Sequence, residues 1–527
     1  MLLAVALATR AVRNGSVGVD LATVADVAPD LDWPDPDGWA ELVAASPVAA
    51  AGVVRLDQGL LYLDRYWRQE GELCTDLQAR LARPAPVVDA AALEAGLLRV
   101  FAGDTYDEQR AASRRAAGQW TTVLTGGPGT GKTTTVAGLL ALLAEQRQLA
   151  GLPPLRIALS APTGKASARL QQAVATATQD LEQVDRDRLG HLSAVTLHRL
   201  LGTRRDNGTR FRHHRGNRLP HDVVVVDESS MVSLTMMTRL LEAVRPDARL
   251  MLVGDPDQLA SVEAGAVLGD LVAGLSDREP SPVASLRTTH RFGEQIGELA
   301  AALRGGSPDD ALDVLRSGAA AVELVETEDP SVVLRTGLVQ AAVELHRCAV
   351  EGRAEDAVAA LDGHRLLCAH RDGPFGVQHW NRQVQRWLSE AVGDPLYEPM
   401  YVGRPLLVTA NDYGLGVHNG DAGVVVQTAG GRRAFIAGSK GVVDFAVSRM
   451  SDVETMFATT VHKSQGSQAA EVTVLLPPPD SPLLTRELFY TAVTRATEKV
   501  RVVGTEESVR TAVQRRAQRA SGLRHRL

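Results

Sequence analysis

Short, wholly apolar runs alternate with longer helix-like segments through most of this chain. Between Asp104 and about Ser285 the pattern switches repeatedly between the two, which is typical of a parallel sheet with right-handed helical crossovers. A second region of the same kind begins near His290 and continues to the end. Because helices cover both faces of such a sheet, its strands should be apolar throughout. The strands predicted on this basis are 120–125, 155–160, 223–227, 249–254, 365–370, 471–476 and 499–504.

Two stretches depart from this alternation and divide the chain. Residues 1–103 contain apolar segments without a chemical motif, and a proline-containing break at 83–90 predicts a linker, so this part is expected to be a mainly helical N-terminal domain. Residues 400–452 are rich in Gly and paired Val, which predicts a small β-barrel-like insertion with tight turns. The expected α/β organisation is therefore residues 1–103, 104–288 and 289–527, with the insertion in the last part.

A Gly-rich segment directly follows the first predicted strand. Residues 126–133 read Gly-Gly-Pro-Gly-Thr-Gly-Lys-Thr, the spacing of a phosphate-binding P-loop, and a helix-like run begins at Val136. Glycines let backbone N–H groups point at an anion, and the helix N-terminus adds its positive dipole end. Lys132 is expected to reach the β- and γ-phosphates of ATP, and Thr133 to hold Mg²⁺. The predicted nucleotide-binding residues of this segment are Gly126, Gly127, Pro128, Gly129, Thr130, Gly131, Lys132, Thr133 and Thr134.

Acidic and amide side chains follow two further predicted strands. Asp227 and Glu228 follow an apolar valine run, and catalytic groups in parallel sheets lie at this carboxyl end of the strands. We expect Asp227 to hold Mg²⁺ through water and Glu228 to orient or deprotonate the attacking water. Gln258 follows the next strand and is expected to contact the γ-phosphate and that water. Together these residues predict a hydrolytic nucleotide site.

The bulk composition narrows the class of protein. The chain has 527 residues, 45% hydrophobic and 23% charged, with a formal net charge of −7, which argues against a uniformly basic nucleic-acid coat but allows a local basic groove. Its three cysteines are far apart and predict reduced thiols. The apolar start lacks a basic leader and stops early, and no run approaches a membrane span. We therefore expect a cytoplasmic protein with no membrane contact.

Taken in order, nine segments resemble the motifs of superfamily 1 helicases, and among these the RecD family of RecBCD-type exonuclease V complexes. Nine motifs in one order over residues 107–496 make a specific pattern. The short region before the P-loop resembles this family better than the longer, stand-alone RecD-like helicases. The segments are Gln109, GGPGTGKTT (126–134), APTGKASARL (161–170), TLHRLLG (196–202), DESSM (227–231), GDPDQLASV (254–262), THRF (289–292), TVHKSQGSQ (460–468) and ELFYTAVTRA (487–496).

This resemblance implies a fold and a role for several individual residues. It implies two RecA-like P-loop NTPase lobes, residues 104–288 and 289–527, with ATP between them. Gln109 would hold the adenine, and Arg291 and Arg495 would act as catalytic arginines beside Lys132, Glu228 and Gln258. The implied activity is 5′-to-3′ movement on single-stranded DNA and the unwinding of duplex DNA ends.

The resemblance also implies a DNA path and protein partners. Small hydroxyls, loop backbone and single Lys or His side chains suit phosphate contacts that ignore base sequence. The implied partners are RecB-like and RecC-like subunits in a heterotrimer that repairs double-strand breaks by homologous recombination, and any nuclease activity would come from another subunit. The implied DNA-binding residues are Pro162, Thr163, Gly164, Lys165, Thr196, His198, Thr460, His462, Lys463 and Ser464.

An arginine-rich insertion lies between two of these motifs. Residues 204–218 contain six arginines and an Asn-Gly pair that signals a hairpin. A solvated surface hairpin and a strand-separating pin at about 203–220 are both compatible with this composition. For the second reading, Arg210, Arg212 and Arg215 are the residues expected to act on the duplex.

Three other functions stay open at this point. A self-sufficient 5′-to-3′ DNA helicase without obligate partners would carry the same motifs. An ATP-binding component without turnover would keep the P-loop, although the hydrolytic residues argue against it. An RNA helicase is also compatible, because phosphate-contacting loops do not distinguish the sugars without a 2′-OH contact.

Overall fold

The computed structural model describes residues 2–27, 31–204, 207–289, 294–412, 414–438 and 441–527. By their internal contacts they form two compact units. The first unit comprises Met1–Pro162, Leu170–Thr288 and Gln518–Leu527, and the second comprises Thr163–Arg169 and Thr289–Ala517. Residues 1–103 thus share one unit with the predicted first lobe.

The N-terminal part of the first unit combines helices with a small antiparallel sheet of order β1-β3-β2. Local sequence explains where its helices start. Asp35, Ser46 and Asp89 each accept a hydrogen bond from a backbone N–H of the first turn, and proline opens two of the helices. The elements are α1 (Leu2–Arg13), β1 (Gly18–Asp20), α2 (Pro36–Ala44), α3 (Pro47–Ala50), β2 (Val54–Asp57), β3 (Leu60–Leu63), α4 (Asp64–Leu81) and α5 (Ala90–Val100).

A six-stranded parallel sheet follows in the same unit, with strand order β11-β4-β10-β9-β5-β6. All four residues of β9 are buried, as expected for a strand covered on both faces. The elements are α6 (Asp107–Ala117), β4 (Thr121–Gly126), α7 (Lys132–Leu149), β5 (Ile157–Ala161), α8 (Gly164–Gln179), α9 (Gln183–Leu189), β6 (Ala194–Thr196), α10 (Leu197–Leu201), β7 (Thr203–Arg204), β8 (Asn207–Phe211), β9 (Val223–Val226), α11 (Leu234–Ala243), β10 (Arg249–Gly254), α12 (Val267–Leu275) and β11 (Val283–Leu286).

The second unit has a parallel sheet of order β12-β21-β20-β13-β19 and an antiparallel sheet of order β17-β16-β15-β14-β18. Its elements are α13 (Glu294–Gly305), α14 (Pro308–Arg316), β12 (Val322–Glu326), α15 (Pro330–Val350), α16 (Ala354–Ala360), β13 (His364–Cys368), α17 (Val377–Val392), β14 (Pro405–Val408), β15 (Ala422–Thr428), β16 (Gly431–Gly438), β17 (Gly441–Ala446), β18 (Val453–Thr455), β19 (Ala458–Thr460), α18 (Val461–Ser464), β20 (Ala469–Leu475), α19 (Arg486–Val493), β21 (Ala496–Gly504) and α20 (Glu506–Gln514).

These two parallel sheets confirm the predicted α/β fold class, and each of the seven predicted parallel strands is present within a few residues of its expected position. The antiparallel sheet occupies the segment in which a β insertion was expected. Over the described ranges, none of the helices combines the length and apolar character that a membrane crossing needs.

The last ten residues return to the first unit. Helix α21 (Leu523–Arg526) places Leu523 fully inside the core beside α12. Ser521 Oγ donates to the buried carboxylate of Glu70 on α4 at 2.7 Å, and Arg526 donates to Asp57 at 2.8 Å. The C-terminal segment therefore holds the N-terminal helices and the parallel sheet of the first unit together.

Candidate nucleotide site and DNA path

The P-loop connects the end of β4 to the start of α7, as the sequence predicts. Gly129 and Gly131 have φ angles of 83° and 84°, a left-handed conformation that glycine adopts without strain. A Cβ at Gly126 would lie 2.5 Å from Thr130 Oγ1 and 2.8 Å from the Leu286 carbonyl, so a larger residue does not fit there. The loop is therefore shaped by its glycines into a turn that can approach phosphates closely.

Lys132 and Gln109 both contact this loop. Lys132 Nζ donates to the carbonyl oxygens of Gly126 at 2.6 Å and Gly127 at 2.9 Å, which holds the ammonium at the loop. Gln109, on α6, is buried and its Nε2 donates to the Thr130 carbonyl at 3.2 Å. Its Oε1 is buried without a hydrogen-bond partner in the described part of the chain. An adenine amino group is a donor that such an acceptor can take.

The acidic pair and Gln258 lie on strands next to the P-loop strand. In the sheet, β10 lies between β4 and β9, so all three carboxyl ends meet at one edge. A Cβ at Gly254, which ends β10, would lie 3.2 Å from the backbone nitrogen of Ser229. The residues after β9 and β10 are therefore close together, as the sequence predicts. Glu228 has a φ of 50°, a strained conformation for a non-glycine residue that is common at functional sites.

Gln258 is positioned by a carboxylate that the sequence analysis did not assign. Asp255 is 2% exposed, and its Oδ2 accepts from Gln258 Nε2 at 3.0 Å. The same side chain accepts from the Asp257 backbone N–H at 3.1 Å. Asp255 directly follows β10, and this position at the carboxyl end of a strand is the sequence feature that could have marked it as a site residue. The contact fixes the direction of the Gln258 amide at the edge of the sheet.

The residues at this edge fit a magnesium nucleotide. Mg²⁺ in phosphoryl-transfer sites takes oxygen ligands from one or two protein side chains, the substrate phosphates and water. The Thr133 hydroxyl at the start of α7 and the Asp227 carboxylate after β9 are oxygen donors of this type and both are partly exposed. Among the described side chains, no larger cluster of metal-ligating groups is present.

Of the two candidate catalytic arginines, the structure describes Arg495. Arg291 lies at 290–293, outside the described residues. Arg495 belongs to the second unit and is 3% exposed. Its Nε donates to the Thr491 carbonyl at 3.1 Å, which ties the guanidinium to helix α19. The catalytic roles of both arginines stay predictions.

The three predicted DNA-binding threonines share one structural role. The Oγ1 atoms of Thr163, Thr196 and Thr460 each accept from the N–H three residues later, at 3.2, 3.3 and 3.2 Å, in the first turn of α8, α10 and α18. Each hydroxyl keeps its own hydrogen, which can be donated to a phosphate oxygen. This arrangement is compatible with the predicted contacts.

The other predicted DNA contacts differ in their surroundings. Burial lowers the pKa of Lys165 to about 8, and nearby Arg365 acts in the same direction. Lys463 forms an ion pair with Glu454 at 2.8 Å, which a phosphate would have to replace. Ser464 is 2% exposed and donates to the Val461 carbonyl, so contact between its side chain and DNA would require this turn to rearrange. Pro162 directly follows β5, Gly164 packs against His418, and His462 lies in α18.

The arginine-rich insertion forms a hairpin with an unexpected register. Strands β7 and β8 pair Thr203 with Phe211 and Arg204 with Asn207. The predicted hairpin is therefore present, and its Asn207-Gly208 pair lies in the second strand. Arg215 forms a bidentate ion pair with Asp76 of α4, both bonds being 2.7 Å. All three arginines are exposed, and Arg215 in addition ties the segment after β8 to α4.

A P-loop at the end of a strand in one parallel sheet, carboxylates after a neighbouring strand and a second parallel sheet together define a P-loop NTPase. Residues 109–264 match the AAA domain family, and residues 455–503 match the UvrD-like helicase C-terminal domain family. RecBCD enzyme subunit RecD of Mycolicibacterium smegmatis is 62% identical over all of this chain and 93% of its own length. The chain therefore belongs to the RecD family of helicases.

The chain is also similar, more distantly, to a second curated helicase and to a solved helicase structure. The ATP-dependent RecD2 DNA helicase of Deinococcus radiodurans is 30% identical over 86% of this chain and 56% of its own length. The crystal structure of the Pif1 helicase from Candida albicans aligns with a TM-score of 0.42 and 15% identity, over 76% of this chain and 95% of that chain.

Proposed function

We propose that this chain is an ATP-dependent 5′-to-3′ single-stranded-DNA translocase and helicase. It acts as the RecD-like subunit of a RecBCD-type helicase-nuclease, with RecB-like and RecC-like partners, in double-strand-break repair and homologous recombination. The observation that carries the proposal is the convergence of the P-loop, Asp227-Glu228 and Gln258 at one edge of a parallel sheet, in a chain that matches RecD along its full length. The cytoplasm is the compartment in which it would work.

The chemistry assigned to the site is hydrolysis of the γ-phosphate of ATP. Lys132 neutralises charge on the β- and γ-phosphates, and Gln109 binds the adenine. Glu228 orients or deprotonates the attacking water, and Gln258, held by Asp255, links the γ-phosphate to that water. Mg²⁺, held by Thr133 and Asp227, supplies charge compensation on the phosphates.

Two arginines complete the proposed hydrolytic site. Arg291 and Arg495 stabilise the charge that spreads over the γ-phosphoryl group in the transition state. Arginines in this role typically accelerate hydrolysis by a factor of ~10³–10⁵. Hydrolysis drives motion along DNA because a bound triphosphate and its products favour different conformations.

The test is unwinding of matched duplexes carrying a 5′ or a 3′ single-stranded tail. We expect any unwinding by the chain, alone or with partners, to start from the 5′-tailed duplex when ATP and Mg²⁺ are present, and Lys132→Gln to abolish DNA-stimulated hydrolysis and that unwinding. Lys132→Gln should still bind single-stranded DNA without nucleotide, which separates loss of hydrolysis from misfolding. Unwinding only from the 3′ tail, or hydrolysis that DNA does not stimulate, would contradict the proposal.

A self-sufficient helicase is the second candidate, favoured by the similarity to RecD2 of Deinococcus radiodurans. The two candidates differ in whether the isolated chain unwinds. Full unwinding activity without partners would support the self-sufficient helicase. DNA-stimulated hydrolysis without unwinding, restored by RecB-like and RecC-like subunits, would support the subunit. Replacing the DNA with an RNA strand of the same sequence tests the choice of nucleic acid.

A further inference from the structure

A cleft of about 440 Å³ opens within the first unit, beside the predicted DNA path. One wall comes from the N-terminal helices, with Arg13 at the end of α1 and Arg65 and Tyr66 at the start of α4. The opposite wall comes from the sheet domain, with His198 on α10 and Phe211 at the end of β8. The cleft is thus lined both by a residue predicted to contact DNA and by a region in which the sequence shows no motif.

Two cations face this cleft without a carboxylate partner. Arg13 and Arg65 are exposed, and among the described residues no hydrogen bond or ion pair involves either guanidinium. Their neighbours differ: Arg55 pairs with Asp64 at 2.8 Å, and Arg526 pairs with Asp57 at 2.8 Å. Of the described residues that line the cleft, Glu263 is the one acid. With two arginines and one acid, the described lining of the cleft carries a net positive charge.

Aromatic surface accompanies these charges. The exposed His198 ring lies 5.8 Å from Phe211 in an edge-to-face arrangement, and Phe211 is itself 5% exposed. The guanidinium of Arg65 lies 5.5 Å from the centre of the Tyr66 ring. Loss of surrounding water in the cleft lowers the pKa of His198, with Glu263 opposing the shift, so the imidazole is largely neutral at physiological pH. A neutral ring fixed by Phe211 is a surface on which a base can stack.

We propose that this cleft binds one nucleotide of the single-stranded DNA, with Arg13 and Arg65 contacting phosphate oxygens and His198 stacking on the base. The inference rests on the proposed function, in which Thr196 and His198 lie on the DNA path. Sites for single strands combine a positively charged groove with aromatic side chains, and the cleft volume lies in the range of small-ligand sites. The N-terminal helices would thereby become part of the DNA-binding surface.

The phosphate contacts are tested with the double variant Arg13→Ala/Arg65→Ala in the full chain. The measurement is fluorescence anisotropy of a dye-labelled oligothymidylate over a series of KCl concentrations, without nucleotide. We expect about tenfold weaker binding, and a slope of log K against log[salt] that is less negative by about 1.4, because each phosphate contact to a single strand contributes about 0.7. Hydrolysis of ATP without DNA should not change.

A matched control removes two charges from the same two helices outside the cleft. Arg10 is exposed on α1, and Arg68 on α4 pairs with Asp64. The Arg10→Ala/Arg68→Ala variant is expected to bind DNA within about twofold of the unsubstituted chain. Equal weakening by both double variants, or no weakening by the first, would overturn the assignment. Failure of the unsubstituted chain to bind the oligothymidylate would instead overturn the proposed function.

The stacking contact has its own test. His198→Ala should weaken binding of the oligothymidylate about fivefold or more, and His198→Phe should restore most of the affinity, since base–aromatic stacking needs only a flat ring. An oligonucleotide of the same length with abasic sites should bind His198→Ala and the unsubstituted chain equally. An equal loss on both oligonucleotides would contradict stacking of His198 on a base.

Discussion

Arg80 Nε donates a hydrogen bond of 2.9 Å to Thr121 Oγ1, which joins helix α4 to the first residue of the P-loop strand. The same guanidinium donates to the carbonyl oxygens of Arg245 at 2.8 Å, Trp120 at 2.9 Å and Ala248 at 2.6 Å. Arg80 is 5% exposed, and burial lowers its pKa to about 10. One side chain of the N-terminal region thus satisfies backbone groups where two central strands, β4 and β10, begin.

Removal of this side chain should destabilise the first unit. Arg80→Ala leaves four acceptors without their donor in a buried position, and we expect a loss of about 3 kcal/mol in the free energy of unfolding. Thermal unfolding followed by circular dichroism measures the change. Arg68→Ala on the same helix removes an exposed i,i+4 ion pair and should cost less than about 0.5 kcal/mol. Similar midpoints for the two variants would show that the Arg80 contacts contribute little.

The parallel strands and the P-loop were predictable because local signals specify them. Four consecutive buried valines form β9, and the glycines of the loop adopt the conformations that their spacing predicts. The contacts of Arg80 and of the C-terminal segment were not predicted, because they join residues 41 and 451 positions apart and no local pattern indicates which distant residues meet. The Asn207-Gly208 pair correctly indicated a hairpin, but pairing of Arg204 with Asn207 places the pair in the second strand.

The hairpin register revises the test of the strand-separating pin. Of the three arginines predicted to act on the duplex, Arg215 is paired with Asp76, so the revised test replaces Arg210 and Arg212, which are exposed. We expect Arg210→Ala/Arg212→Ala to reduce unwinding of a 5′-tailed duplex at least about fivefold, with single-strand-stimulated hydrolysis within about twofold. The control is Arg215→Ala, which should lower stability rather than selectively affect unwinding. A parallel decrease in unwinding and hydrolysis would favour a simple surface hairpin.

Asp270 on α12 gives the first unit a defined pH dependence. Burial raises its pKa from 3.8 to about 6; a hydrogen bond from Ser521 and the charge of Arg524 oppose the shift, and Glu70 increases it. The folded state therefore binds this proton more tightly than the unfolded chain. Its contribution to the free energy of unfolding rises as pH falls through about 6 and is complete below 3.8, amounting to about 1.4 kcal/mol between pH 8 and 5.

The neutral isostere tests this dependence. Asp270→Asn should be more stable than the unsubstituted chain at pH 8, and this advantage should shrink by about 1.4 kcal/mol at pH 5, because Asp270 in the folded state is then protonated. Unfolding midpoints at the two pH values give the comparison. Asp277→Asn, at an exposed position after the same helix, should change neither value. An advantage that is equal at both pH values would contradict the assignment to the titration of Asp270.

Gln109 provides a prediction on nucleotide selectivity. Its Nε2 holds the Thr130 carbonyl of the P-loop, and its Oε1 is a buried acceptor without a partner among the described residues. If this amide binds the adenine, Gln109→Ala should raise KM for ATP about two- to tenfold, which corresponds to the loss of one or two neutral hydrogen bonds. The increase in KM for GTP should be smaller, because guanine offers a different pattern of hydrogen-bond donors. Arg114→Ala, at an exposed position of the same helix, is the control. A uniform increase for ATP and GTP would indicate that Gln109 acts only by bracing the P-loop, because loop geometry affects the phosphates of both nucleotides alike.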